Sequence, residues 1–233
     1  MRLPDYWMSR PQINLDESTR SAFEALMISI LSCGEKTTGR EIPLLEYDFT
    51  APRWQFLCYL ADTHQVVLHG TGNPNISEFE PRQSNDLNEF GNRKAVYATG
   101  DGIWAMFFAI VDRDRYSLSV SNACIRVVDA FGFISEPYYV FSVSKSVRHL
   151  QPWRAGYVYL LPAETFVAQP DFPFGEYKIR VPQLASPVPV TPLARLEVMA
   201  EDFPFLAQIR GHDDERLQEY ADAMQTGRPW PDG

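Results

Sequence analysis

The sequence predicts an α+β fold in which helices and strands are grouped along the chain instead of alternating. Residues 1–63 carry two helical patterns after an irregular aromatic start, strand patterns dominate residues 64–201, and helical patterns return in residues 202–233. Regular alternation of strands and helices would favour a doubly wound parallel sheet, so this grouping favours a split, mixed β-sheet. We therefore divide the chain into an N-terminal helical segment packed on the core, the strand-rich core itself, and a C-terminal helical tail.

Composition and charge narrow the class of protein. The 233 residues are 45% hydrophobic, which is enough to bury a substantial core. The formal net charge of -9 disfavours general binding to nucleic acid, although one local basic groove would suffice. Apolar runs fall well short of the roughly 20 residues that span a bilayer, and the N-terminus lacks the apolar core of a signal peptide. We expect a cytoplasmic protein with no membrane partner.

The cysteines and histidines form no metal-binding pattern. The three cysteines are widely spaced and odd in number, which is typical of reduced thiols in a core. His212 is followed by two aspartates, but none of the other three histidines is placed to join it. We predict that Asp213 or Asp214 caps the last helix, and we predict no metal site.

Two helices are predicted in the N-terminal segment. Asp16 or Ser18 begins the first helix, apolar residues at helical spacing give it one buried stripe, and Gly34 ends it. Thr50, with Pro52 two residues later, supplies the cap and first-turn signals of the second helix.

A buried strand that ends in a polar loop organises the core. In residues 65–72 a β-branched apolar run reaches His69 and then a glycine-rich loop, which is typical of a strand whose carboxyl end borders a site. A second strand at 95–99 presents Tyr97 and leads to Asp101, which we predict to cap the next helix. An imidazole and a phenol on neighbouring strands would line one pocket.

Residues 72–94 form a long connection between these two strands. Connections of this length inside a compact domain are usually functional or disordered. Because this one lies between the two candidate site strands, we predict that it forms a wall or a lid of the pocket.

Further strands and helices complete the prediction. Strand patterns lie at 117–120, 123–128, 138–143, 156–161, 177–181 and 193–198. Helical patterns lie at 145–150, 203–209 and 214–224. The prolines of residues 186–192 confine that segment to an edge or a connection.

The two site strands resemble elements of a known family. Leu68-His69-Gly70-Thr71, followed by Val96-Tyr97-Ala98 entering a helix, is similar to the His-Gly-[Ser/Thr] and Tyr-Ala elements of ADP-ribosyltransferases of the poly(ADP-ribose) polymerase or diphtheria-toxin type. The resemblance covers about residues 64–200. It implies an ADP-ribosyltransferase-like core that takes NAD as its co-substrate.

The resemblance also implies a role for each matched residue. His69 would bond a ribose hydroxyl of NAD, and Gly70 would hold the nicotinamide amide through its backbone. Thr71 completes this NAD-binding element, and Tyr97 would stack on the nicotinamide ring. Taken singly, a histidine at a strand end and a tyrosine on a short strand are more often structural, so the prediction depends on the two together.

The third residue of the family is a glutamate at the start of a late strand. Counting back from the strand predicted at 193–198, Gln183 occupies this place, and Glu176 is the closest carboxylate alternative. Glu164 is a further alternative, although it directly follows a strand and we predict that it starts a turn or a helix. A carboxylate would orient a ribose hydroxyl and stabilise the oxocarbenium-like sugar left when nicotinamide departs, whereas a glutamine amide only orients. With Gln183 in place, we predict NAD binding with slow or mono-ADP-ribosyl transfer and no polymer synthesis.

Two interpretations remain open for the polar stretch 82–86. Arg82, together with backbone amides such as that of Ser84, would grip the nucleotide phosphates. Alternatively, the stretch forms a solvated turn.

The expected function is NAD-dependent mono-ADP-ribosyl transfer, a glycosyltransferase reaction that releases nicotinamide. The acceptor would be a protein, a nucleic acid or a small molecule. The alternative is a non-catalytic module of the same fold that binds a nucleotide or a protein partner. Neither G-x-G-x-x-G, nor G-x-x-x-x-G-K-[ST], nor H-E-x-x-H occurs in the chain, so the common phosphate loops and zinc-protease templates have no support.

Overall fold

The computed structural model describes residues 3–34, 41–63, 65–84 and 89–231. The helices in these residues are α1 (Glu17–Gly34), α2 (Arg53–Asp62), α3 (Gly102–Ile110), α4 (Lys145–Arg148) and α5 (Leu217–Thr226). The strands are β1 (Met8–Ser9), β2 (Val66–Thr71), β3 (Arg82–Gln83), β4 (Lys94–Thr99), β5 (Val120–Val128), β6 (Tyr138–Ser144), β7 (Gly156–Pro162), β8 (Val167–Ala168), β9 (Phe172–Phe174), β10 (Tyr177–Arg180), β11 (Gln183–Ser186), β12 (Ala194–Val198) and β13 (Arg210–His212).

The strands form two largely antiparallel sheets. The first, which we call the β2 sheet, has the order β12-β7-β2-β4-β11-β8, with β3 added to β4. The second, the β6 sheet, has the order β1-β6-β5-β10-β9, with β13 added parallel to β6. The predicted α+β class is confirmed, and the strands of the core are divided between two sheets.

Helix α3 lies between the two sheets. On one side its backbone approaches the β2 sheet so closely that a Cβ added to Gly70 would lie 1.8 Å from the Ala105 carbonyl oxygen. On the other side Phe107 packs on Phe141 of β6, with 4.7 Å between ring centroids. A helix covered on both sides has to be apolar all round, and every residue of α3 except Phe108 is buried.

The helix starts test the predicted caps. Asp16 caps α1 as predicted, since its Oδ1 accepts the Thr19 amide at 2.7 Å. Asp101 caps α3 as predicted and accepts the Trp104 amide at 2.8 Å. For α2 the predicted cap by Thr50 is wrong, because Pro52 occupies the N-cap position and no side chain caps the helix.

The C-terminal tail packs on the outer face of the β6 sheet, together with the start of the chain. Tyr220 of α5 and Trp230 form a buried aromatic cluster with Tyr6, and the Tyr6 hydroxyl donates to the Ala223 carbonyl at 3.0 Å. The predicted cap at Asp213 serves the 3-10 turn Asp214–Arg216 that leads into α5, since the Asp213 side chain accepts the Glu215 amide at 3.2 Å, while α5 itself has Arg216 at its N-cap and no side-chain cap.

Two predicted elements differ from the structure. The strands expected at 117–120 and 123–128 are one strand, β5, which begins at Val120; just before it, the Ser119 amide donates to the Ser144 hydroxyl. The helix expected at 203–209 is replaced by the short 3-10 turns Ala200–Asp202 and Leu206–Gln208. Pro204 lies between them and has no amide hydrogen for a continuous helix.

The cysteines behave as the composition predicts. Cys58 and Cys124 are free and buried, and burial raises the pKa of both thiols. The side chain of Cys33 lies outside the described residues. Among the helices that the structure describes, none is both long and apolar enough to cross a bilayer.

Candidate functional site

Strands β2 and β4 lie side by side but separate after one residue pair. Leu68 and Thr99 form the one pair of the β2–β4 ladder in the described part of the chain. On its other edge β2 pairs with β7 along its whole length, and β4 pairs with β11. The two strands therefore lack ladder pairs between residues 69–71 of β2 and residues 96–98 of β4, and we call this region the β2–β4 gap.

The His69 side chain reaches across this gap. Its Nδ1 lies 2.7 Å from the carbonyl oxygen of Tyr97. A carbonyl oxygen can only accept, so Nδ1 carries the hydrogen. Burial lowers the pKa of His69, and the hydrogen bond to Tyr97 opposes that shift in part. The imidazole is therefore neutral at pH 7, which makes its Nε2 a hydrogen-bond acceptor that has no partner among the described residues.

Gly70 turns its backbone amide and carbonyl towards the gap. The Gly100 amide donates to the Pro182 carbonyl at 2.8 Å, so Gly100 faces β11. Thr99, the preceding residue, faces β2 instead and exchanges hydrogen bonds with Leu68. Gly70 lies two residues beyond Leu68 and therefore faces the same way, where the described residues provide no further ladder pair.

The side chains of His69 and Tyr97 project to opposite faces of the β2 sheet. Residues that pair directly in an antiparallel ladder project to the same face, and neighbours along a strand alternate. The Leu68–Thr99 pair therefore places Tyr97 on the face of Leu68 and Thr99. His69, one residue after Leu68, lies on the other face.

The packing agrees with this assignment and corrects one expectation. The His69 ring contacts the Phe79 ring, with 4.6 Å between centroids. The Tyr97 hydroxyl instead accepts the Arg93 amide at 2.7 Å and donates to the Phe90 carbonyl at 2.9 Å. The prediction that the two rings line one pocket is wrong, because the strand register brings the Tyr97 backbone, and not its ring, to His69.

The structure separates the three candidates for the third position. Gln183 begins β11 and pairs with Thr99, so Gln183, Thr99 and Leu68 form a row across three strands. Glu176 is exposed in the turn between β9 and β10, in the other sheet. Glu164 is exposed in the turn that follows β7. Of the candidates Gln183 and Glu176, only Gln183 therefore lies in the β2 sheet, and its pairing with Thr99 puts its side chain on the face of Tyr97, opposite His69.

The residues expected to hold phosphates form a hairpin. Arg82 is exposed in β3 and pairs with Ala95, which puts its side chain on the Tyr97 face and away from His69. The Ser84 amide donates to the Arg93 carbonyl at 3.5 Å. Of the two open interpretations, the structure favours the turn. Residues 85–88 lie outside the described part of the chain.

The connection after β2 forms a wall over the His69 face. The Tyr159 hydroxyl donates to the Asn73 carbonyl at 3.0 Å and accepts the Ile76 amide at 3.1 Å. Phe79 exchanges two backbone hydrogen bonds with Val190, at 2.9 and 3.0 Å. These bonds hold the connection against the sheet, so of the two predicted roles its described part serves as a wall.

The start of this wall is fixed by Thr71. Its Oγ1 accepts the Asn73 amide at 3.2 Å, two residues further along the chain. The Thr71 hydroxyl therefore shapes the turn that ends β2.

A second polar cluster was missed by the sequence analysis. The buried His212 lies 2.7 Å from the Ser142 hydroxyl through Nδ1 and 2.6 Å from the Ser119 hydroxyl through Nε2. Ser119 and Ser144 both donate to Asp214, at 2.5 and 2.6 Å. These serines lie on or beside β5 and β6, so the cluster fastens the tail to the β6 sheet. Their pairing depends on strand register, for which the sequence carries no local signal.

Neither a metal site in the described part of the chain nor a similarity to known proteins assigns a function to it. The described residues contain no group of three or more side chains that could hold a metal ion. No protein-family model, curated protein or solved structure matches the chain. A functional proposal therefore depends on the geometry of the β2–β4 gap.

Proposed function

We propose that the chain binds NAD in the β2–β4 gap and acts as a nucleotide-binding module on an ADP-ribosyltransferase-like fold. The observation that carries the proposal is the pair of adjacent groups at the gap. Nε2 of the neutral His69 is an acceptor, and Gly70 directs one amide and one carbonyl to the same side of its strand.

These groups complement the nicotinamide riboside half of NAD. A carboxamide has one acceptor oxygen and two donor hydrogens, and it can therefore bond the Gly70 amide and carbonyl as a neighbouring strand would. A ribose hydroxyl can donate to Nε2 of His69. These are also the roles that the resemblance to ADP-ribosyltransferases implies for the two residues.

Two features favour binding over efficient catalysis. The resemblance puts Gln183 where the family has a glutamate, and a neutral amide cannot stabilise the positive charge that develops when nicotinamide leaves. Tyr97 lies on the face opposite His69, and its hydroxyl is engaged by the turn at residues 90–93. We therefore place the non-catalytic module ahead of the transferase.

Mono-ADP-ribosyl transfer is the second candidate, and one observation favours it. Gln183 begins the strand that pairs with β4, which is where the resemblance places the family's third residue. If this position serves catalysis, Gln183→Glu should increase nicotinamide release from NAD, measured by chromatography, over that of the wild type. An unchanged rate would remove Gln183 from the catalytic position.

Calorimetric titration with NAD tests the binding proposal. His69→Asn replaces the ring by an amide that still offers a donor to the Tyr97 carbonyl but lacks Nε2. We expect it to weaken NAD binding at least tenfold, and we expect ADP-ribose, which lacks the carboxamide, to bind more weakly than NAD to the wild type. His149→Ala is the matched control, because His149 is exposed at the end of α4. Absence of NAD binding to the wild type, or equal affinity in His69→Asn, would overturn the proposal.

A further inference from the structure

A cavity of about 650 Å³ lies on the β6 sheet, separate from the β2–β4 gap. Part of its lining comes from the start of the chain and part from β5, β6, β10 and the loop after β5. The lining residues that matter are four aromatic side chains and two carboxylates, namely Trp7, Phe133, Tyr138, Tyr177, Asp5 and Asp129.

The charge of this cavity has one sign. None of its described lining residues is a lysine, an arginine or a histidine. Neither Asp5 nor Asp129 has a cationic partner among the residues that the structure describes. The whole chain carries a formal net charge of -9, which attracts cations to the molecule in general.

Asp129 is held in a fixed position. Its Oδ1 accepts the amides of Phe131 and Phe133, each at 2.9 Å. These bonds use one carboxylate oxygen and orient the residue, while Oδ2 makes no hydrogen bond within the described residues. The charge that Asp129 contributes to the cavity is therefore preorganised.

Besides the two carboxylates, the aromatic side chains of the cavity can also attract a cation. The face of an aromatic ring carries partial negative charge and attracts cations, and several rings around one space form the cages that hold quaternary ammonium groups. Trp7 is 8% exposed, so its ring is packed against the protein and forms a buried wall of the cavity. Phe133 is 70% exposed although it lies at the cavity, so its ring is available to cover a ligand.

We propose that this cavity binds a small organic ammonium cation. Its alkylated head group lies among the aromatic rings, and Asp5 and Asp129 balance its charge. An anion would be repelled by both carboxylates, and a neutral apolar ligand would leave the attraction of the rings and the carboxylates unused.

Titration of the full chain with choline tests the charge requirement. The probe is followed by NMR or calorimetry, and its neutral isostere 3,3-dimethylbutan-1-ol is titrated in parallel. We expect choline to bind at least tenfold more tightly than the alcohol. Equal binding of the two, or no binding of choline, would overturn the proposal. A trimethyllysine peptide that binds more tightly than choline would overturn the assignment to a small molecule.

Two variants and a matched control test the location. Phe133→Leu removes one ring from an exposed position, and Asp129→Asn removes the charge but keeps an oxygen for the two amides. Phe131→Leu is the control, because Phe131 is 96% exposed, lies two residues away and does not line the cavity. We expect each of the first two variants to weaken choline binding at least fivefold and the control to leave it unchanged. Equal effects of Phe131→Leu and Phe133→Leu would contradict this location.

Discussion

At the scale of single residues, Gly70 has two separate effects. It has no side chain on the face that meets α3, where an added Cβ would collide with the Ala105 carbonyl. Its backbone also faces the β2–β4 gap, because it lies two residues beyond the Leu68–Thr99 pair. The close packing of α3 therefore holds in place the same backbone groups that we propose for NAD.

The first effect predicts the result of adding one methyl group. Gly70→Ala should lower the free energy of unfolding by about 3 kcal/mol or more, because the obstructing atoms belong to the backbone of a buried helix. Urea denaturation measures this change. Gly100→Ala is the control, since a Cβ there would meet no atom closer than 3.7 Å. Equal stability of the two variants would contradict the described packing.

Asp101 is a second residue with a defined energetic role. Burial raises the pKa of its carboxyl above the ordinary 3.8, although the Trp104 amide and the Tyr139 hydroxyl lower it in part. Because the folded chain holds this proton more tightly than the unfolded chain, the stabilising contribution is present below pH 3.8. It is lost as the pH rises through the raised pKa.

The raised pKa of Asp101 predicts different stabilities for two substitutions. Asp101→Asn keeps an oxygen for the Trp104 amide, lets its amide nitrogen donate to the Tyr139 hydroxyl that Asp101 now accepts, and removes the buried charge, so at pH 7 it should be at least as stable as the wild type. Asp101→Ala removes the cap and should lose about 1–2 kcal/mol. Urea denaturation at pH 4 and pH 7 measures both. A loss in Asp101→Asn at pH 7 as large as that in Asp101→Ala would contradict this account.

At the scale of secondary-structure elements, the sequence was sufficient to predict those elements that are stabilised by residues close together in the chain. The caps at Asp16 and Asp101 and the apolar strand before His69 were predicted correctly, because each depends on neighbouring residues. The short strands β8, β9 and β13 have only two or three residues and form because a partner strand is present. Strands this short have no local sequence pattern that would predict them.

In the candidate site, too, features set by neighbouring residues were predicted and features set by strand pairing were not. His69, Gly70 and Gln183 were singled out from the sequence, and the structure places His69 and Gly70 on β2 and Gln183 on β11, with β4 between these two strands. The face to which Tyr97 projects depends on the register between β2 and β4, and a shift of one residue reverses it. This register is set by the pairing of Leu68 with Thr99, which lie far apart in the sequence, and by the wall over His69. Neither is visible in a local pattern, so the shared pocket was predicted incorrectly.

The attachment of the tail to the β6 sheet should depend on pH. Partial burial tends to raise the pKa of Asp214, but hydrogen bonds from Ser119 and Ser144 and the nearby His212 lower it below its ordinary value. A lowered pKa stabilises the folded state above the ordinary pKa of 3.8, and this contribution is lost as the pH falls through the lowered value.

Asp214→Asn should therefore accelerate hydrogen exchange of the α5 amides at pH 7. The difference from the wild type should shrink as the pH falls below 3.8, where the wild-type carboxyl also becomes neutral. Glu215→Gln is the control, because Glu215 is exposed in the same turn. Unchanged exchange in α5 at pH 7 would show that Asp214 does not fasten the tail.

At the scale of the whole molecule, α3 separates two sheets that offer different chemistry. In the β2 sheet, strands β2 and β4 separate beyond Leu68 and Thr99, and the imidazole acceptor of His69 lies beside a stretch of β2 that has no β4 ladder partner among the described residues. The β6 sheet carries an aromatic and acidic cavity on a chain of net charge -9. The two proposed ligands would therefore bind independently, and neither site shares a named residue with the other.

Amide-resolved NMR of the uniformly labelled chain tests the central claim most directly. If NAD binds in the β2–β4 gap, its addition should shift the Gly70 amide resonance and slow the hydrogen exchange of that amide. The Gly132 amide, in the loop after β5, should be unaffected. Saturating NAD that leaves the Gly70 amide unchanged, or that perturbs other regions instead, would contradict the account.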